Sequence, residues 1–521
     1  MNIYKKRLLT LLSGSLLLTT GCEKDLLNQP NPNLPTAETF WQNSQDANKG
    51  VLAAYSGLQL LGTYRRWLYF DYDLRSDEGF SSSPWPELQS FTKFGLTDYN
   101  FEVNAVTWGN HYVGINRCNQ VLAYVPSINM DANLKTQMLA EARFLRALHY
   151  FNLVSLYGRP VLATEPSTAE YRPPQAASEQ EVWDFIVQDL QAAKAGLPDT
   201  YPGNDLGRAT KGAATALLGK AFMQQLKWAE ASTQFAEVIS SGKYSLTSDY
   251  RDNFRHDREN NSESVFEVQF TAEYSADRDD DYAGASEASQ RAQFFGLPGK
   301  GWTDGEARAW LIDEFLKEKT TAGKKDPRLS ATLFFSRNRA GYPNDATDPV
   351  DQDNKAYDNI TLDQRFAGDA FNRNRVYWRK YENDYWKNVE GYYSPINHRV
   401  IRYSDVLLSQ AECLNEQGKS GEAIPLINQV RRRVGLADLG SLDQGTLRTQ
   451  LMHERVTELA GETWRWHDLR RWGLLDNQAG IDQLKGRDPD FNNFELGKSK
   501  YLPIPRNDVD IANLTQNPGW N

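Results

Sequence analysis

The stretch that most constrains this chain runs from Asp131 to Pro160, D-A-N-L-K-T-Q-M-L-A-E-A-R-F-L-R-A-L-H-Y-F-N-L-V-S-L-Y-G-R-P. Leu134, Met138, Ala142 and Leu145 recur at helical steps along one side. Ala140, Phe144, Ala147, Phe151 and Val154 recur along another. A helix that is apolar on two faces needs neighbours on both, so the stretch predicts a helix at the centre of an all-helical assembly. Asp131 is placed to cap its start, and Gly158 with Pro160 to stop it.

Other segments repeat this logic. Leu218, Gly219, Phe222, Ala231 and Phe235 fall at the spacings of a tetratricopeptide repeat, with Val238 where a small residue is usual and Thr215 where the repeat has Trp. A second copy starts at Tyr403, with Ala411, Leu414, Ala423, Ile427 and Val430 at matching offsets and Gly435 near its end. The central helix and Glu179–Leu197 make a third, and Arg448–Trp472 reads as a further amphipathic helix. Each repeat adds its own layer of core, so residues 37–521 can form one domain. Its helix pairs are expected around 131–198, 211–244, 403–436 and 448–472. Thr39–Leu61 and Asn104–Val125 read as additional helices, and V-F-E-V-Q-F (Val265–Phe270) as a short strand. The fold class expected is mainly α, a helical-repeat scaffold with long irregular loops and a few short strands.

The N-terminus sets an address. Lys5, Lys6 and Arg7 precede the apolar run Leu8–Leu18, which is too short for a bilayer needing about 20 apolar residues, and Thr19, Thr20 and Gly21 lead to Cys22. This reads as a signal peptide over residues 1–21 and lipidation at Cys22, although Thr19 stands where a strict lipobox has Leu. Two acyl chains on one cysteine anchor stably. Residues 22–36, rich in Asn and Pro, read as a tether. The 58 basic and 68 acidic residues give a net charge of −10, which becomes −13 once the three leader cations are removed. So acidic a chain does not suit nucleic acid. Cys118 and Cys413 each lie in an apolar helical pattern and are expected as buried thiols.

Several motifs carry a family resemblance. E-A-R-F-L-R-A-L-H-Y-F-N-L-V-S-L-Y-G (Glu141–Gly158) and R-Y-S-D-V-L-L-S-Q-A-E-C-L-N-E-Q-G (Arg402–Gly418) resemble two signatures of the SusD/RagB family. I-N-Q-V-R-R-R-V-G-L (Ile427–Leu436), E-R-V-T-E-L-A-G-E-T-W-R-W-H-D-L-R-R-W-G (Glu454–Gly473), Y-L-P-I-P (Tyr501–Pro505) and Q-N-P-G-W (Gln516–Trp520) follow in family order. The resemblance implies a nutrient-binding outer-membrane lipoprotein of Bacteroidetes-type bacteria, expected to face the cell surface, where Glu23-Lys24-Asp25 resembles an export tag. It also implies a partner, a SusC-like TonB-dependent transporter. The motif residues Glu412, Glu454, Glu458, Glu462, Arg465 and Asp468 are expected in helix-to-helix ion pairs and caps.

Catalytic patterns are missing from the sequence. There are six His and no H-E-x-x-H, and no G-x-S-x-G. Gly418-Lys419-Ser420 lacks the upstream glycine of a phosphate loop, Cys413 holding that place, and Gly299-Lys300 is followed by Gly301. No cofactor or metal is called for: Asp277–Asp281 (D-R-D-D-D) lacks the ordering of a calcium loop. Binding remains. Sugar C–H faces lie on Trp and Tyr while hydroxyls bond to Asp, Asn, Arg and Gln. Tyr64–Phe101, Phe294–Trp310 and Phe335–Tyr393 read as long loops rich in such residues. Trp67, Trp85 and Trp302 fit a glycan site best, Trp378 and Trp386 next, with Asp71, Asp73, Arg75 and Asp77 as polar partners. The expected ligand is a poly- or oligosaccharide, neutral because the acidic chain repels a polyanion, such as a fructan or glucan. A peptide ligand on the same architecture, a surface glycoside hydrolase and a bare scaffold are the alternatives.

Overall fold

The computed structural model describes residues 37–272 and 287–520. The leader, Cys22, Glu23-Lys24-Asp25 and the tether lie outside the described residues, as does the acidic run Asp277–Asp281. Helix α1 (Ser44–Ser56) is capped by the Asn43 side chain, which accepts from the amides of Gln45 and Asp46. After α2 (Trp67–Tyr72) and α3 (Glu102–Tyr124) comes the central helix α4 (Ala132–Tyr157). The Asp131 carboxylate accepts from the Leu134 amide at its start, and Gly158 leaves it at φ 69°. From Glu141 to Tyr157 every side chain but Arg143 is buried. The two apolar faces are filled by α1 and α3 on one side and α5 (Glu179–Gly196) on the other.

From α5 the helices stack in series. α6 (Lys211–Gln224) packs on α5, α7 (Trp228–Ser240) on α6, and α8 (Tyr403–Glu416) on α7. α9 (Ser420–Arg433) and α10 (Gln444–Leu459) both pack on α8, and α11 (Arg465–Arg471) reaches back to α6. Gly219 shows why the repeat needs a small residue: a Cβ there would come within 2.8 Å of the Phe235 ring on α7. Among the described residues, three two-stranded antiparallel sheets bridge distant segments. β1 (Gly79–Phe80) pairs with β3 (Glu306–Ala307), β2 (Ser264–Val268) with β6 (His398–Arg402), and β4 (Leu333–Phe334) with β5 (Tyr377–Trp378). No helix among the described residues is long and apolar enough to cross a membrane.

Two expectations are corrected. The segment Tyr64–Phe101 is not an open loop: it contains α2, β1 and a short helix Pro86–Thr92, and Leu61–Gly79 is buried throughout. Its helices run only six and seven residues, about two turns at most, too short for a helical period to show. Arg448–Trp472 is two helices, not one. The chain breaks at Ala460–Trp464, where Gly461 and Thr463 take φ 74° and 68°. A Cβ on Gly461 would meet the Trp378 ring at 2.8 Å, so close approach and backbone conformation both demand glycine.

The motif carboxylates and arginines form buried ion pairs. Arg402 bonds Glu263 at 2.5 Å, Glu458 at 2.9 Å and Glu462 at 2.7 Å. Glu458 also meets Arg433 at 2.5 Å and Arg328 at 3.3 Å, while Glu462 holds Lys380 at 2.8 Å. Arg471 bridges Glu412 and Asp468, and Arg455 joins Asp468 to Asp405. Glu454 pairs with Arg431, and Arg465 bonds Asp77 at 2.6 and 2.7 Å. Cys118 and Cys413 are buried free thiols, and burial pushes Cys118 up to about 12.

Candidate functional site

Burial divides the nine expected ligand residues. Trp67, Asp71, Asp73, Arg75, Asp77 and Trp378 are inside the protein, and no ligand can reach them in this structure. The polar ones found partners that sequence spacing does not reveal. Asp71 accepts from the Thr107 hydroxyl, Asp73 from the Thr463 amide, and Asp77 from Arg465 and Arg487. Arg75 donates to the Ser499 carbonyl and lies over Trp466. Burial pushes Asp71 and Asp73 up to about 7. Asp77 is buried too, but Arg465 and Arg487 hold its carboxyl below the usual value. Trp378 sits in β5 beneath Gly461. Trp85 is half-buried, and Trp302 and Trp386 are 49 % and 44 % exposed.

Trp302 and Trp85 belong to one aromatic assembly. The Trp302 ring stands edge to face with Phe294, at 5.0 Å, and with Tyr392, at 5.4 Å. Phe294 packs on buried Trp67 at 5.7 Å, and Trp67 packs on Trp85 at 6.3 Å. Arg66 lies at the centre, its guanidinium 4.5 Å from the Phe294 ring and 4.9 Å from the Trp67 ring. Such edge-to-face pairs are worth about 0.5–1.5 kcal/mol each beyond area, enough to fix ring orientation. Trp67 thus supports the two accessible indoles from beneath.

The β1–β3 pairing brings the assembly together. Phe80 lies opposite Glu306 in an antiparallel register, so the chain leaving β1 toward Ser83 and Trp85 runs beside the chain entering β3 from Trp302 and Asp304. Asp304 lies close to Ser83, whose hydroxyl accepts from the Trp85 amide at 3.1 Å. Burial pushes the Asp304 carboxyl up to about 6, opposed by Ser83 and Arg66. A third segment closes the side: the Glu390 amide donates to the Lys300 carbonyl at 2.8 Å, and Ser289 bridges to Ser394.

Trp386 belongs to that third segment but to a separate patch. Its ring lies 4.6 Å from His256, its Nε1–H donates to Asn383, and the Lys387 ammonium is 4.5 Å above it. Tyr392 falls in the aromatic stretch Phe335–Tyr393, but neither it nor Arg66, Phe294 or Asp304 is among the nine expected ligand residues. Asp304 had a legible signal, two residues after Trp302 in G-W-T-D-G. Arg66 and Phe294 had none. Among the described residues no cluster of three or more His, Cys, Asp or Glu side chains could hold a metal ion.

The chain matches known proteins along nearly its whole length. Residues 262–520 match the SusD family, and residues 68–223 match the family described as starch-binding associating with outer membrane. SusD-like protein P25 of Formosa agariphila is 28 % identical over 516 residues, covering 94 % of each chain. The starch-binding protein SusD of Bacteroides thetaiotaomicron is 25 % identical over 421 residues, 73 % of this chain and 72 % of its own. A SusD superfamily protein of Bacteroides vulgatus superposes with a TM-score of 0.79 at 25 % identity, over 92 % of this chain and all of that one. A laminarin-binding SusD-like protein does so with a TM-score of 0.70 at 27 % identity, over 92 % and 100 %.

Proposed function

We propose, from the premise that this chain belongs to the SusD/RagB family, that it captures a polysaccharide or oligosaccharide at the outer membrane and passes it to a SusC-like TonB-dependent transporter. The observation that carries this reading is the half-exposed Trp302, held by Phe294 and Tyr392 beside the half-buried Trp85. A flat apolar ring set among hydrogen-bonding groups is what a pyranose needs on its face and at its rim. Trp302 and Trp85 are the primary ligand platform, and Trp386 a neighbouring one. A neutral glycan suits the acidic chain. Likeness to a laminarin-binding protein favours a glucan over a fructan.

Cys22 carries the lipid anchor, and residues 22–36 lift the body from the membrane, facing the cell surface. Binding and transfer need no turnover, so the protein is not an enzyme. Affinity electrophoresis against laminarin, starch, inulin and an acidic polysaccharide tests the reading. Retardation by a neutral polymer without release of reducing sugar is expected. Release of sugar would make the protein a hydrolase, and no retardation by any polymer would defeat the glycan reading. Cys22→Ala is expected to move the protein from the membrane fraction to the soluble one; unchanged sedimentation would dismiss the anchor.

A further inference from the structure

We infer that Thr303 is the positioning residue for Trp302, an inference that rests on the glycan-binding reading of this site. The loop that carries Trp302 uses glycine wherever the backbone is crowded. A Cβ on Gly301 would meet the Gln293 carbonyl at 2.7 Å, and one on Gly305 the Phe295 ring at 2.7 Å. At its tip Gly299 takes φ 79°. Thr303 breaks the pattern: it stands at φ 60°, in the left-handed region, with a β-branched side chain. That conformation is costly for any L-residue, and a branched residue there is a true outlier. Glycine would adopt it at no steric cost, so threonine at this point needs a contact that offsets the strain.

What threonine adds is a tether. Its hydroxyl donates to the Gly296 carbonyl at 2.7 Å, across the base of the loop. The Trp302 amide donates to the Gln293 carbonyl and the Asp304 amide to the Phe294 carbonyl, each at 2.7 Å. Three consecutive residues are thereby pinned to one strip of backbone. The left-handed turn between them leaves the indole half exposed while the Asp304 carboxylate, two residues later, is buried against Ser83. A branched side chain also has few rotamers, so the tether is stiff. Strain held at a ligand platform by surrounding bonds is a means of pre-organisation.

The test compares Thr303→Gly and Thr303→Ser with the unaltered protein, using laminarin in affinity gels, thermal melting and amide hydrogen exchange. Thr303→Gly removes strain and tether together. Its melting temperature is expected to stay within about 2 °C of the parent, while its dissociation constant rises at least about fivefold and the Asp304 and Gly305 amides exchange faster. Thr303→Ser keeps the hydroxyl and should bind within about twofold of the parent. Should Thr303→Gly fail to fold, Thr303→Asn replaces it, because Asn also tolerates this φ. Parent-like affinity and exchange in Thr303→Gly would overturn the inference. Failure of the parent protein to bind laminarin or any other polysaccharide would defeat the glycan reading instead. The exchange rates would then still decide whether Thr303 fixes the loop.

Discussion

Trp302 and Trp378 are the same residue type with opposite expectations. Trp302 is half exposed, so Trp302→Ala should weaken glycan binding by about 1 kcal/mol or more with little change in melting. Trp85→Ala should do the same to a smaller degree. Trp378 is fully buried beneath Gly461, so Trp378→Ala should cost about 3–5 kcal/mol of stability. Denaturant titration beside affinity gels separates the two cases, and unchanged binding in both Trp302→Ala and Trp85→Ala would remove the platform. Asp304 adds a pH dependence. Its folded pKa of about 6 lies above the unfolded value near 4, so the folded chain holds the extra proton between those values. That contribution to stability is complete below about pH 4 and is lost as pH rises through about 6. Asp304→Asn should therefore show a flatter stability profile between pH 4 and 6 than the unaltered protein; identical slopes would contradict the assignment.

At the scale of elements, legibility followed periodicity. The helices α4, α5, α6 and α8 were legible because each runs 14 residues or more, long enough for apolar residues to recur at helical steps over several turns, and Asp131 and Gly158 cap α4 as their chemistry suggests. The short elements of Tyr64–Phe101 were not, since α2 and the helix Pro86–Thr92 run only six and seven residues, about two turns at most, too few for apolar steps to recur. Burial hid the true roles of Asp71, Asp73 and Asp77, whose partners lie at Thr107, Thr463 and Arg465. Trp85 and Trp302 were legible as loop indoles, but their common support through Trp67 and Phe294 depends on a pairing of β1 with β3 that no local pattern encodes. Within α4, Leu145 is fully buried, and Leu145→Ala should cost about 2–5 kcal/mol. Leu134, half-buried near the start, should cost less when replaced. Equal losses from the two, measured by chemical unfolding, would contradict the deeper packing of the middle of the helix relative to its start.

Across the whole molecule the SusD-family motifs act as a buried electrostatic frame. Arg402 neutralises carboxylates from three places in the chain, so Arg402→Met should leave Glu263, Glu458 and Glu462 under-compensated and cost about 3–5 kcal/mol. Burial raises the Glu458 and Asp468 carboxyls, but the guanidiniums of Arg433 and Arg402 around the first, and of Arg455 and Arg471 around the second, hold both well below the usual carboxylate range. Their contribution is present above the unfolded values near 4 and is lost as pH falls below them, so the fold should weaken steeply in acid. Melting temperatures that stay level from pH 5 to pH 2 would refute this. The β1–β3 pairing also imposes an order in time. Ser83 and Trp85 are synthesised early, yet they wait for Trp302 and Asp304, and the aromatic wall is finished only when Tyr392 arrives. A nascent chain has α4 and its neighbours α1, α3 and α5 in hand long before the aromatic wall can close, because the wall joins residues far apart in the chain. On the proposed platform, a chain cut short before Tyr392 should therefore bind no glycan, however much of the helical body it has already built.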